Sequence, residues 1–217
     1  MERPRERALR QGLKSLSNRE LLAIVIRHGN KQGSALDIAD EILKKTQDLL
    51  PLASMSLDDL MKINGLNKAK GLELLAAVEI GRRMSYEQCR GKDVIKDPDS
   101  MIKWLNLEIG MQNQEMFLVV FLNTRNQILD YEIVFKGTLD RSLVHPREIF
   151  KKALLCSSSK IIAVHNHPSG NPEPSAEDVM ITEQISEIGH LMNIELLDHV
   201  IVARNNHFSF KQSGLLD

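Results

Sequence analysis

The stretch VHNHPSGNPEPSAEDVM, residues 164–180, sets two histidines one residue apart, then a turn-forming run, then a carboxylate eleven residues after the second histidine. KIIAVHNH (160–167) is a short apolar run of strand type, and SAEDVMITEQISEIGHLMN (175–193) has the spacing of a capped amphipathic helix. Side chains alternate along a strand, so His165 and His167 face one way and Asn166 the other. Two imidazoles on one face at a strand end can share a metal ion, and Asp178, in the first turn of the helix, is the natural third ligand. Three protein ligands with a fourth position left open is the pattern of catalytic zinc. The prolines of PSGNPEP beside Gly170 suit a rigid reversal between the ligands. The same letters admit a purely structural reading. Ser175 with Asp178 three residues on is a capping box, and a carboxylate there also favours the helix dipole.

Outward from this stretch, the preceding sequence supplies strands at MFLVVFLN and ILDYEIVFKG, with NTRNQ (123–127) as the hairpin turn. A helix is expected at HPREIFKKALLC, and further strands at ELLDHVIVAR and HFSFKQ, joined by NN. With a helix over SMIKWLNLEIG, the order from residue 100 is α-β-β-α-β-α-β-β, a mixed α/β domain over 100–217. Residues 1–84 read as a small all-α helical bundle. Ser17 with Glu20, and Ser56 with Asp59, are capping boxes, and the first of these helices is expected to end at Gly29. Residues 85–99 are charged, contain Gly and Pro and lack periodicity, which assigns them as a linker.

Composition bounds the function. The chain has 217 residues, 42% hydrophobic and 26% charged, with a net charge of −1. No apolar run approaches the ~20 residues needed to span a bilayer, so no membrane role is expected. The charged N-terminus has no apolar signal region. Two cysteines, Cys89 and Cys156, outside any CxxC pair, exclude a disulfide framework and a cysteine-built zinc site, and imply a reducing cytoplasm. Aromatic residues make up only 4%, which argues against a base-stacking surface. A zinc deaminase is excluded because HxE and PCxxC are both absent. Positive charge is in excess up to residue 95 and negative charge after it, consistent with two parts that meet different partners.

Two resemblances sharpen this reading. HNHPSGNPEPSAED is similar to the His-x-His-Pro-x(6)-Pro-Ser-x-x-Asp motif of JAMM (MPN-plus) metalloproteases. With GTLDRSLVHPREIFKKAL and LLDHVIV it resembles the bacterial RadC family over nearly the whole chain. The resemblance implies a JAMM/MPN-like (cytidine-deaminase-like) mixed-sheet fold. It also implies Zn2+ on His165, His167 and Asp178, and hydrolysis of a peptide or isopeptide amide. It further implies a glutamate base at the start of an earlier strand. Glu115 fits best, with Glu132 and Glu148 as competing carboxylates. By the same resemblance Ser175 steadies an oxyanion, a task it could not easily combine with capping. Asp198, in LLDHVIV, is a candidate for orienting an imidazole, against a core polar role.

In the bundle, INGLNKAKG resembles a helix-hairpin-helix unit, in which backbone N–H groups bind a DNA phosphate whatever the sequence. Gly65, Lys68 and Lys70 are then the candidate DNA-binding residues, with Asn67 standing where the motif usually has a second glycine. The alternative to an enzyme is therefore a DNA-associated module whose α/β domain is a non-catalytic platform.

Overall fold

The structure, a computed structural model, describes residues 2–31, 33–137, 144–204 and 206–216. Residues 138–143, part of the GTLDRSLV string, and Asn205 of the NN turn lie outside the described residues. The chain divides into two units, Met1–Gly81 and Arg82–Asp217.

The first unit holds α1 (Pro4–Gln11), α2 (Asn18–Ile26), α3 (Ala35–Thr46), α4 (Leu57–Met61) and the start of α5 (Lys68–Arg90). Ser17, Ser34 and Ser56 each cap their helix by accepting a hydrogen bond from the N–H three residues on. Helix α2 ends earlier than expected, because Arg27 turns to φ 66° and its N–H closes on the Ala23 carbonyl before Gly29 is reached. Leu22, Ile26, Ile38, Ile42, Leu60 and Leu74 form the core that these helices share.

The second unit is built on a five-stranded sheet in the order β2-β1-β3-β4-β5. The strands are β1 (Glu115–Leu122), β2 (Ile128–Gly137), β3 (Lys160–Asn166), β4 (Glu195–Ala203) and β5 (Asn206–Ser209). All pairings are antiparallel except β3 with β4, which is parallel and joined by the crossover helix α8 (Ala176–Met192). Helices α6 (Pro98–Leu105) and α7 (Pro146–Leu155) complete the unit. Strand β1 is apolar on both faces because both are covered. Leu118, Val120 and Leu122 pack with Trp104 and Leu105 of α6 on one side. Phe117, Val119 and Phe121 pack with Ile149, Phe150 and Ile185 of α7 and α8 on the other. Full burial of each large side chain contributes roughly 1.5–3 kcal/mol before entropy is counted.

The expected linker over 85–99 is corrected. Helix α5 continues to Arg90, and Cys89 and Val94 are buried in the α6-side core with Tyr86 packed against it. Polar letters around three well-spaced apolar residues concealed this packing. The helix expected over SMIKWLNLEIG is α only to Leu105 and continues as one π turn over Asn106–Gly110. Among the described residues no helix is long and apolar enough to cross a membrane.

Candidate metal centre

Phe117 of β1 pairs with His165 of β3, so both lie on the sheet face that α7 and α8 cover. Glu115, two residues before Phe117, begins β1 at the end of the sheet where β3 finishes. The chain then turns sharply. The His167 N–H donates to the Val202 carbonyl at 3.0 Å, and the N–H of Gly170 (φ 87°) donates to the His167 carbonyl at 3.0 Å. The turn delivers Ser175 as the cap of α8 and Asp178 into its first turn, 4% exposed.

Three atoms of the kind that bind metals converge. His165 Nε2 stands 3.0 Å from His167 Nε2 and 3.1 Å from Asp178 Oδ1, and His167 Nε2 lies 3.4 Å from Asp178 Oδ2. Ligands held about 2.0–2.1 Å from a tetrahedral zinc ion stand about 3.3 Å from one another, so the spacing fits that ion. Among the described residues, these three are the group able to hold a metal. The tautomer of His167 also fits, because its Nδ1 lies 2.8 Å from the Asn171 carbonyl, an acceptor only. Nδ1 therefore carries the proton, and in the neutral ring Nε2 turns a lone pair to the site.

The electrostatics express the same demand for positive charge. The hydrogen bond to Asp178 is the largest influence on His167 and raises its pKa. Burial by itself raises the Asp178 pKa, but the His165 and His167 rings beside it outweigh burial and hold the carboxyl far below its usual range. Burial lowers the pKa of His165, favouring the neutral ring that a metal needs.

Glu115, His167, Ser175 and Asp178 line one cavity of about 610 Å3, with Met180 and Ile181 on its wall. The competing carboxylates lie elsewhere: Glu132 is on β2 beside Lys152, and Glu148 is on α7 with Arg147 and Lys151. Ser175 acts here as the helix cap. Its Oγ accepts from the Asp178 N–H at 3.2 Å and donates to Asp178 Oδ2 at 2.7 Å, which aims the Asp178 carboxylate.

Asp198 does not orient a ligand imidazole. Its carboxylate accepts from Ser209 Oγ at 2.6 Å and from the backbone N–H groups of His199 and Lys211 at 2.7 and 3.0 Å, tying β4 to the C-terminal turn. Alternation along β4 gives the reason, since His199 rather than Asp198 faces α8. His199 Nε2 lies 2.9 Å from His165 Nδ1, and its own Nδ1 lies 2.6 Å from Thr182 Oγ1. The composition and motif reading missed Thr182 altogether. Its position on α8 one turn after Asp178 was the available signal.

Asn166 was passed over as the residue between the histidines. Fully buried, its Oδ1 accepts from the Met116 N–H at 2.7 Å, and its Nδ2 donates to the Gln112 and Gln114 carbonyls at 3.2 Å each. The strand start that carries Glu115 is thereby pinned to the strand end that carries the histidines.

In the bundle, Lys70 Nζ donates to the carbonyls of Gly29 and Gly65 at 3.3 and 3.2 Å, so its ammonium is turned onto its own unit. Gly65 (φ 91°) packs so closely that a Cβ there would lie 2.6 Å from Ile38. Asn67 Oδ1 accepts from the Lys70 N–H at 3.0 Å and caps α5, which accounts for Asn where a glycine was expected. Lys68 is exposed.

Comparison with known proteins agrees with this architecture. A family profile described as RadC-like JAB domain matches residues 95–215, and one described as UPF0758 N-terminal matches residues 1–72. A UPF0758 protein of Bacillus licheniformis is 44% identical over 215 residues, spanning 99% of this chain and 96% of its own. UPF0758 proteins of Shouchella clausii and Geobacillus kaustophilus are 42% and 41% identical, each spanning 98% of this chain and 93% and 94% of their own.

Proposed function

Because this chain belongs to the UPF0758 family and carries a RadC-like JAB domain, we propose that the cavity is the zinc centre of an amidohydrolase acting on peptide or isopeptide bonds. The observation that carries the reading is the convergence of His165, His167 and Asp178 within 4.8 Å, in a cavity that Glu115 also lines. Bound there, zinc supplies a Lewis acid that polarises an amide carbonyl and acidifies water to a pKa near ~7. Glu115 accepts the proton that water gives up as it attacks the amide carbon, and then delivers it to the leaving amine. Ser175 can donate to the oxyanion only by releasing Asp178 Oδ2, so in the resting state its hydroxyl serves the ligand. The free thiols of Cys89 and Cys156 accord with a cytoplasmic setting.

The test is elemental analysis of the purified protein beside His167→Ala. Near one equivalent of zinc in the parent and little in the variant is the expected result. No zinc in the parent, even after zinc is added back, would return Asp178 to helix capping and sink the enzyme reading. A second reading, non-specific DNA association through the bundle, is supported by Lys68 standing exposed in the first turn of α5. The inward-turned Lys70 weighs against it.

A further inference from the structure

We propose that Thr182 and His199 set the tautomer of His165, holding its proton on Nδ1 so that Nε2 presents a lone pair to the cation site. The proposal concerns the protein's own hydrogen bonds, and only its consequence for metal affinity rests on the zinc-centre reading above.

The argument runs outward from a carbonyl that can only accept. Thr182 Oγ1 lies 2.5 Å from the Asp178 main-chain oxygen, one helical turn back. Two oxygens that close repel unless a hydrogen lies between them, so the single hydroxyl proton of Thr182 points at the carbonyl. Thr182 Oγ1 must then accept from its other neighbour, His199 Nδ1, at 2.6 Å. With its proton on Nδ1, neutral His199 has a bare Nε2 and accepts from His165 Nδ1 at 2.9 Å. His165 in turn has a bare Nε2, which faces His167 Nε2 and Asp178 Oδ1 as ligands around a cation do, and Asp178 Oδ1 is the acceptor that competes with His199 for the His165 proton. The chain of donors has one direction, from His165 through His199 and Thr182 to the backbone of the residue that supplies the third ligand.

Burial keeps the direction from being scrambled by water. His165 and His199 are 0% exposed and Thr182 2%. His199 is stacked on Phe210 with ring centroids 4.9 Å apart and lies against Phe117. Without the Thr182 hydroxyl, His199 Nδ1–H faces an apolar group and loses its acceptor. The His199 proton then moves to Nε2 and is donated to His165 Nδ1. The His165 proton is pushed to Nε2, where Asp178 Oδ1 accepts it. A proton then occupies the direction that a metal ion needs. Thr182 and His199 are positioning residues, since neither turns a polar atom to the site itself.

The experiment pairs two readouts on the full chain. The first is nitrogen-15 NMR of the histidine rings in metal-free protein, which distinguishes a protonated ring nitrogen from a bare one. The second is zinc affinity by competition with a chromophoric chelator. The parent is expected to show His165 protonated at Nδ1 and bare at Nε2. In the near-isosteric Thr182→Val the proton shifts toward Nε2, and zinc affinity falls about 10–100-fold, as for loss of a partner behind a metal-binding histidine. Thr182→Ser, which restores the hydroxyl, recovers both properties. His199→Phe, which keeps the ring stack but removes the acceptor, loses affinity as Thr182→Val does. Either of two results overturns the proposal: His165 carrying its proton on Nε2 in the parent, or Thr182→Val binding zinc as tightly as the parent. If the parent takes up no zinc, the zinc-centre reading fails and the ring nitrogens alone decide the tautomer. If Thr182→Val does not fold, the parent spectrum still decides.

Discussion

Asn166 shows how much one amide can do between two histidines. The strand alternation that puts His165 and His167 on the α8 face puts Asn166 on the other, against the backbone of residues 112–116. Its acceptor and both donors are used there, out of reach of bulk solvent. Asn166→Leu, of similar volume, leaves the Met116 N–H without its partner, at a cost of about 1–3 kcal/mol for that group alone. Urea unfolding of the variant is expected to show that loss with an unchanged m-value. A midpoint equal to the parent's would mean that the amide holds nothing in place. The histidine pair was legible from spacing because a strand's two-residue period is local. Asn166 was not, because its partners lie about fifty residues earlier.

At the scale of elements, the capped helices follow closely from sequence. Ser17 with Glu20, Ser56 with Asp59 and Ser175 with Asp178 each reach only three residues along the chain, and each forms. The end of α5 behaves differently. Its last turns carry Tyr86 and Cys89, and the Tyr86 ring lies 5.0 Å from that of Trp104, the chain's sole tryptophan, tilted by 51°. A fragment comprising residues 82–217 is therefore expected to unfold in one cooperative step followed by Trp104 fluorescence. A fragment starting at residue 100 uncovers Trp104 and is expected to show red-shifted emission and a lower urea midpoint. Equal midpoints for the two fragments would show that residues 82–99 are a linker after all.

For the whole molecule, two units match two family profiles, with the excess of positive charge on the N-terminal side. If the bundle associates with DNA, Lys68 is the candidate that is exposed, while Lys70 is bonded to two carbonyls of its own unit. Lys68→Glu is expected to weaken binding to a mixed-sequence duplex and reduce its salt dependence by about one phosphate's worth. His167→Ala is expected to leave both unchanged. DNA affinity indifferent to Lys68→Glu would remove the DNA reading.

The sequence by itself determined the mixed α/β order, the helical bundle before it and the grouping of His165, His167 and Asp178. Each is written in spacings of two to eleven residues, where backbone periodicity and a proline-framed turn leave little choice. Tertiary structure decided which of Asp198 and His199 faces the site, because a strand's facing depends on its register against β3, and a register shift intervenes between Ile161 and Ile162. It decided that Glu115, rather than Glu132 or Glu148, shares the cavity of the histidines, through the pairing of β1 with β3. It also joined Thr182, His199 and His165 into one directed chain of hydrogen bonds. Such a chain exists only where a helix and two strands bring single polar atoms within 3 Å of one another in a buried place.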